Sequence, residues 1–195
     1  MRVIGRSSEA EMVAVFLRGE LDSERFGPGV RSAIDEQLLL EPDLEDEGQN
    51  AVRRAALTEL RGYGSREGLF HGFPDDMRWE RAALTPDEVL AVRYIEYDYW
   101  VELSGGTRLP QDAADRIRAG ITVFRVPNDG FFELADALGT RELPEPIVVG
   151  GDGSRLVVLE GHARLTAYAL RPKALPPELE VLLGRSPRIS DWACW

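Results

Sequence analysis

The stretch Leu156 to Leu170 reads LVVLEGHARLTAYAL. Its first four residues are apolar and rich in β-branched side chains, and a run this short predicts a strand that is buried on both faces. The following ARLTAYAL carries apolar residues at helical spacing, which predicts a helix. The sequence therefore predicts a buried strand that turns sharply into a helix at Gly161, where the missing side chain lets the backbone bend.

The start of this predicted helix has the features of an anion site. The first turn of a helix presents unpaired backbone N–H groups and the positive end of the helix dipole, and here these belong to His162, Ala163 and Arg164. The side chains of His162 and Arg164 add donors, so the simplest ligand is a phosphate. On the other side of Gly161, Glu160 places a carboxylate where a base or a metal ligand could work.

Structural explanations compete with these roles. His162 at a helix start is also compatible with a simple position in the cap region. Glu160 could instead pair with Arg164 and orient it, since the two residues are four apart.

The run FFELADALGTRELPEPIVVGGDGSRLVVLEGHARLTAYAL resembles the ParB/sulfiredoxin superfamily, whose members place a Gly-x-x-Arg or Gly-His-x-Arg turn between a strand and a helix. The resemblance covers roughly residues 121–184. It implies that the turn holds the phosphates of ATP, ADP or CTP, with Mg²⁺ bound at the acidic residue before Gly-His. A sulfiredoxin-like reductase is disfavoured, because the cysteine that such enzymes carry in the turn is His162 or Ala163 here.

Three functions follow as alternatives. The first is a nucleotide-dependent enzyme, a phosphotransferase or NTPase acting on a small metabolite, with Glu160 as base or Mg²⁺ ligand and His162 and Arg164 on the phosphates. The second is a non-catalytic, nucleotide-gated binding or regulatory protein. The third is a protein-interaction module with a vestigial pocket.

A second loop with anion-binding character is SGGTRLP, Ser104 to Pro110. Its two glycines and the Thr107 hydroxyl precede a predicted helix over 110–119, but it lacks the lysine and the spacing of a P-loop. A glycine-terminated helix followed by a proline-started helix explains the same residues. If the loop faces the Gly161 turn, Arg108 is predicted to be a second phosphate clamp.

The remaining pattern predicts an α+β fold in one compact unit. Residues 1–119 are expected to be mainly helical, and residues 120–195 to form a small mixed β-sheet core. Predicted helices lie after Ser8, over 30–40, over 50–60, from Pro86 through Leu103 as one long central helix, and over 131–138. Besides 156–159, predicted strands lie at 121–126, 146–149 and 180–183, with a hairpin turn at 150–154.

Two aromatic segments are open to more than one interpretation. The loop RGYGSREGLFHGFP, residues 61–74, is either a cover for a bound ligand or an ordered connector with buried rings. The C-terminal Trp192 and Trp195 are expected to pack on the body of the protein.

Composition limits the partners. The 195 residues carry a formal net charge of −11, which disfavours duplex DNA and acidic membranes. A single cysteine fits a reducing cytosol, and neither a leader nor a membrane-spanning run is apparent, so we expect a soluble cytoplasmic protein. The expected partners are a nucleotide and a small-molecule substrate, and the sequence leaves a homodimer open.

Overall fold

The computed structural model describes residues 1–65, 67–140, 143–153 and 155–195. The fold is α+β, as predicted. Its strands are β1 (Arg2–Arg6), β2 (Arg78–Leu84), β3 (Ile147–Gly150), β4 (Leu156–Glu160) and β5 (Leu179–Arg185). Its helices are α1 (Glu9–Glu20), α2 (Gly27–Ala33), α3 (Gln37–Leu40), α4 (Glu47–Arg61), α5 (Pro86–Ala91), α6 (Asp98–Leu103), α7 (Pro110–Arg118), α8 (Asp129–Ala137) and α9 (His162–Leu170).

The strands form one mixed sheet in the order β1-β2-β5-β3-β4. β3 and β4 make the predicted antiparallel hairpin, although Ser154 in its turn lies outside the described residues. β3 runs parallel to β5, whereas β2 is antiparallel to both β5 and β1. Because β1 and β2 come from the first half of the chain, both halves contribute to the same sheet.

β4 is buried on both faces, as its sequence predicts. Val157 and Leu159 pack into a core with α1, α4 and the C-terminal tail. Leu156 and Val158 point to the opposite face and pack with α7, α8 and α9. Burial of each such side chain contributes about 1.5–3 kcal/mol. The central strands therefore fix the position of the turn that follows β4.

The predicted long central helix is wrong. The capping box at Thr85 is present, but α5 ends at Ala91 and α6 begins only at Asp98. Between them, Arg93 donates its N–H to the Leu156 carbonyl and accepts from the N–H of Val158. The intervening segment is rich in β-branched and aromatic residues, and pairing along β4 supports its extended form.

The predicted strand over 121–126 is also wrong. Val123 and Val126 form an isolated bridge around Phe124 and Arg125, which have φ values of 49° and 60°. A positive φ at two successive residues makes a tight turn and cannot continue a strand. The apolar side chains of this segment are largely exposed except for Val123. The apolar pattern over 121–126 therefore does not indicate a strand with a buried face.

β1 and β2 were not predicted, and the chain begins with β1 where a helix was expected. The Ser8 side chain does cap α1, accepting from the N–H of Glu11. β2 contains helix-forming residues and is held extended by its pairing with β1 and β5. The helix expected over 30–40 is divided into α2 and α3. The predictions of α4, α7, α8, α9, β3 and β5 are confirmed.

The loop over 61–74, of which Arg66 lies outside the described residues, has buried rings, as one of its two interpretations expects. Phe70 is 1% exposed and contacts the rings of Phe16, Tyr63 and Phe73. Trp192 packs edge-on against Phe73 and donates to the Leu69 carbonyl at 2.7 Å, as expected for the tail. No helix in the described ranges is long and apolar enough to span a bilayer.

Candidate functional site

The turn between β4 and α9 has the predicted geometry. Gly161 has a φ of 103°, a left-handed conformation that favours glycine. A Cβ at this position would lie 3.1 Å from Nη2 of Arg164 and 3.1 Å from Cβ of Pro146. The glycine therefore permits both the backbone bend and the close approach of the Arg164 guanidinium.

Glu160 and Arg164 form a buried ion pair across this turn. Their side chains are 14% and 8% exposed, and Nη2 of Arg164 donates to the Glu160 carboxylate. Nη1 of Arg164 donates to the Pro144 carbonyl. Burial lowers the pKa of Arg164 to about 10, so the guanidinium is charged at neutral pH. Of the two interpretations of Glu160, pairing with Arg164 is the one present in this structure.

A second set of charges surrounds this pair. Glu145 accepts from Arg18 at 2.9 Å and from Arg81 at 3.3 Å, which ties the segment after Pro144 to α1 and β2. The Glu160 carboxylate lies against Gly19, where an added Cβ would be only 2.8 Å from its carboxyl carbon. The pair is thus enclosed by α1 on one side and by the segment before β3 on the other.

His162 lies in a stack of aromatic rings at the start of α9. Its ring is 4.9 Å from that of Trp100 at an angle of 19°, and 6.1 Å from that of Tyr94 at 18°. The Tyr94 hydroxyl is hydrogen-bonded to Thr166 at 2.6 Å, which fixes the far side of the stack. This stack could not be predicted from the sequence, because the pattern placed Tyr94 and Trp100 in one long helix.

The Nε2 atom of His162 is buried and has no hydrogen-bond partner among the described residues. Burial, together with a smaller effect of the positive charge of Arg61, lowers the pKa of His162 to about 3, so the imidazole is neutral at pH 7. A buried nitrogen without a partner carries a desolvation cost of about 1–3 kcal/mol. A ligand that bonds this nitrogen would recover that cost.

The backbone at the start of α9 is also available to a ligand. Gly161 at the N-cap has no side chain, and no other described side chain caps the helix, so the N–H groups of His162, Ala163 and Arg164 lack the usual cap partner. Ala163 is exposed, whereas Arg164 is buried. The predicted anion site therefore retains its backbone donors and its His162 side chain, while the Arg164 side chain is engaged within the fold.

Arg108 anchors the C-terminal segment. Its Nε donates to the Tyr94 carbonyl at 2.8 Å, Nη1 to the Trp195 carbonyl at 2.7 Å, and Nη2 to the Cys194 carbonyl at 3.2 Å. All three nitrogen atoms of the guanidinium therefore donate hydrogen bonds within the fold. Tyr94, whose carbonyl accepts from Arg108, also stacks on His162. The loop itself joins the end of α6 to the start of α7, as the interpretation with two successive helix termini expects.

A cavity of about 640 Å³ lies beside the end of α4. Its wall includes Arg61, whose charge acts on His162, and Tyr97, which precedes α6 and its Trp100. Sequence reasoning missed this cavity, because its lining residues are brought together from distant parts of the chain.

Within the parts of the chain that the structure describes, no group of three or more His, Cys, Asp or Glu side chains is arranged to hold a metal ion. Mg²⁺ bound with a nucleotide usually takes only one or two protein carboxylates, together with phosphate oxygens and water. Glu160 fits that donor set, provided that the ion replaces the guanidinium of Arg164.

Taken together, the start of α9 offers backbone donors, a neutral imidazole and an adjacent carboxylate. This arrangement is suited to a phosphate group, because such groups accept several hydrogen bonds at a helix N-terminus. Comparison of the chain with protein-family models, with curated proteins and with solved structures gave no match. The resemblance to the ParB/sulfiredoxin superfamily therefore stays a prediction that rests on the residues of the turn.

Proposed function

We propose that the chain binds a nucleotide with its phosphates at the start of α9, and that it acts as a nucleotide-dependent phosphotransferase or NTPase on a small metabolite. The observation that carries the proposal is the buried Nε2 of His162 beside the N-terminus of α9, where the described part of the chain offers neither a hydrogen-bond partner to Nε2 nor a side-chain cap to the helix. Phosphate oxygens accept hydrogen bonds from backbone N–H groups and from an imidazole N–H, so one ligand would satisfy both.

Glu160 and Arg164 would couple binding to chemistry. An incoming phosphate would replace Glu160 as the counter-ion of Arg164, so that the buried guanidinium stays paired and the exchange avoids the cost of an uncompensated buried charge. Transfer of Arg164 to the phosphate would release the Glu160 carboxylate, which then serves as a base or as a Mg²⁺ ligand. Phosphoryl transfer needs little beyond such positioning and charge neutralisation.

A non-catalytic, nucleotide-gated binding protein is the second candidate. It is favoured by the ion pair itself, because a carboxylate neutralised by Arg164 is a poor base. In that case the exchange of partners at Arg164 would signal nucleotide binding without turnover. Replacement of Glu160 by Gln separates the two, since an enzyme would lose turnover while it keeps its nucleotide.

For both candidates we propose a cytoplasmic protein that does not bind duplex DNA, consistent with the net charge of −11. ATP, ADP and CTP are the nucleotides to test first, each with and without Mg²⁺. A homodimer is compatible with either activity.

The proposal is tested by thermal shift with ATP, ADP, CTP and GTP on wild type and on Ala163→Asp. A nucleotide at a hundred times its Kd stabilises the fold by about 2.7 kcal/mol, or roughly 5–10 °C for a chain of this length. Ala163 is exposed at the second position of α9, so an aspartate there preserves the helix but repels a phosphate.

Gln111→Asp is the matched control, because Gln111 occupies the second position of α7. We expect a nucleotide shift in wild type and in Gln111→Asp, and none in Ala163→Asp. A shift of equal size in all three proteins, or no shift with any nucleotide, would contradict the proposed site.

A further inference from the structure

Glu20 and Arg61 form a buried charge pair that the fold leaves incomplete. Nη1 of Arg61 is 3.5 Å from Oε1 of Glu20, and the two side chains are 17% and 7% exposed. Nε of Arg61 and Oε2 of Glu20 are buried without a hydrogen-bond partner among the described residues. Buried charges are normally paired and hydrogen-bonded, so this exception calls for an explanation.

The cavity beside α4 supplies an explanation for Arg61, because an anion bound there would be a partner for its guanidinium. Arg61 lies in its wall, and the volume of about 640 Å³ falls within the range of small-molecule sites. Apolar side chains from Phe26, Leu69 and Ile95 line the same space. A cavity with an apolar wall and a few convergent polar groups is the usual form of a ligand site.

A second arginine lies at the same cavity. The guanidinium carbons of Arg61 and Arg25 are 4.0 Å and 4.9 Å from the ring centre of Phe26, so both cations contact one aromatic side chain. Burial lowers the pKa of Arg61, and the nearby positive charge of Arg25 lowers it further. Arg25 is exposed and makes no ion pair with the described residues. An anion between the two arginines would relieve their repulsion.

The local charges select among anions. Glu59 and Glu67 also line the cavity, and Glu20 lies behind Arg61. Three carboxyl groups near two arginines disfavour a phosphate dianion more strongly than a monoanion, because like charges repel. The apolar wall favours a ligand with an apolar body.

We propose that this cavity binds a small organic monocarboxylate, with its carboxylate on Arg61 and Arg25 and its apolar body against Phe26, Leu69 and Ile95. The site lies next to the start of α9 but is separate from it. The inference does not depend on nucleotide binding, because it rests on the cavity and on the incomplete Glu20–Arg61 pair.

Cys194 provides a readout, because it lines the cavity and is the only cysteine in the sequence. The rate at which N-ethylmaleimide modifies Cys194 is measured by mass spectrometry in the presence of 3-phenylpropionate or hexanoate. The controls are 3-phenylpropionamide, which has the same shape without the charge, and inorganic phosphate. We expect both carboxylates to slow modification at least fivefold at saturation, with no protection by the amide or by phosphate.

Two variants test the arginines. Arg25→Gln changes an exposed side chain and is expected to weaken carboxylate binding at least fivefold. Arg54→Gln is the control on α4, because Arg54 pairs with Glu9 outside the cavity. The double variant Glu20→Gln with Arg61→Gln removes both buried charges together, so that neither is left unpaired, and is expected to abolish protection.

Equal protection by the acid and the amide, or binding that Arg25→Gln leaves unchanged, would overturn the inference. The same holds if no carboxylate protects Cys194. Complete displacement of a bound carboxylate by ATP, together with weaker ATP binding in Arg25→Gln, would assign the cavity to the nucleotide and would overturn a separate carboxylate site. A thermal shift with nucleotide that is the same in wild type and in Arg25→Gln would show that the two sites are distinct and would support the separate carboxylate site.

Discussion

Two buried glutamate–arginine pairs, Glu160–Arg164 at the start of α9 and Glu20–Arg61 at the ends of α1 and α4, differ in how completely the fold satisfies them. Arg164 contacts Glu160 and also donates to the Pro144 carbonyl. Arg61 lies 3.5 Å from Glu20, and both partners retain a buried atom with no partner among the described residues.

The difference suggests two separate roles for similar residues. A buried pair with its hydrogen bonds made is costly to disrupt and holds the backbone around it. A buried pair with bonds missing carries a cost that a ligand can relieve. The Glu160–Arg164 pair therefore shapes the turn at Gly161, whereas in the Glu20–Arg61 pair the arginine keeps an N–H that an anionic ligand could accept from.

Breaking the complete pair should have the largest effect. Glu160→Ala leaves the buried guanidinium of Arg164 without its counter-ion, and we expect a loss of about 3–5 kcal/mol in the free energy of unfolding. Urea denaturation measures this loss of stability. Glu160→Gln keeps an acceptor for Arg164 and should lose less. An Ala variant as stable as wild type would show that the pair does not hold the turn.

The incomplete pair should appear in the pH dependence of stability. Burial raises the pKa of Glu20 to about 7, although Arg61 opposes the rise. Below pH 4.5 the carboxyl is protonated in both the folded and unfolded chain. Between pH 4.5 and 7 the unfolded chain ionises first, so the free energy of unfolding falls by up to about 3 kcal/mol in total.

Glu20→Gln should reduce that fall, as measured by urea denaturation from pH 4.5 to 8. Glu24→Gln, at an exposed position nearby, is the control and should keep the wild-type pH dependence. The same pH dependence in both variants would show that Glu20 titrates normally.

The smallest expected effect on stability concerns Gly161. It tests whether this glycine is needed for more than its backbone conformation. Gly161 and Gly106 have similar φ values, 103° and 93°, but only a Cβ at Gly161 would meet neighbouring atoms. Gly161→Ala should therefore lose about 1 kcal/mol more than Gly106→Ala in urea denaturation, because the added methyl group displaces the Arg164 guanidinium. Equal losses would mean that the guanidinium adapts without cost.

The parts that sequence reasoning predicted are those whose signals are local. β4, Gly161 and α9 follow from one continuous stretch, in which a buried strand, a glycine and a helical pattern succeed one another. The strands β1 and β2 could not be found in this way, because their pairing partners are distant and β2 contains helix-forming residues.

The same limit applies to the candidate sites. The donors at the start of α9 were predicted, since they are neighbours in sequence. The ring stack on His162 was not, because it needs Trp100 to be placed by the break between α5 and α6. The Glu20–Arg61 pair joins the ends of α1 and α4, and only the folded chain reveals that its bonds are incomplete.

The central claim, that a nucleotide phosphate bonds His162, is tested most directly by ¹H–¹⁵N correlation spectra of the histidine rings. The chain has two histidines, and the exposed His71 serves as an internal control. With saturating ATP and Mg²⁺ at pH 7, we expect the Nε2 resonance of His162 to shift while that of His71 stays in place. An unchanged His162 resonance at saturation, or the absence of any nucleotide that saturates the protein, would contradict the claim.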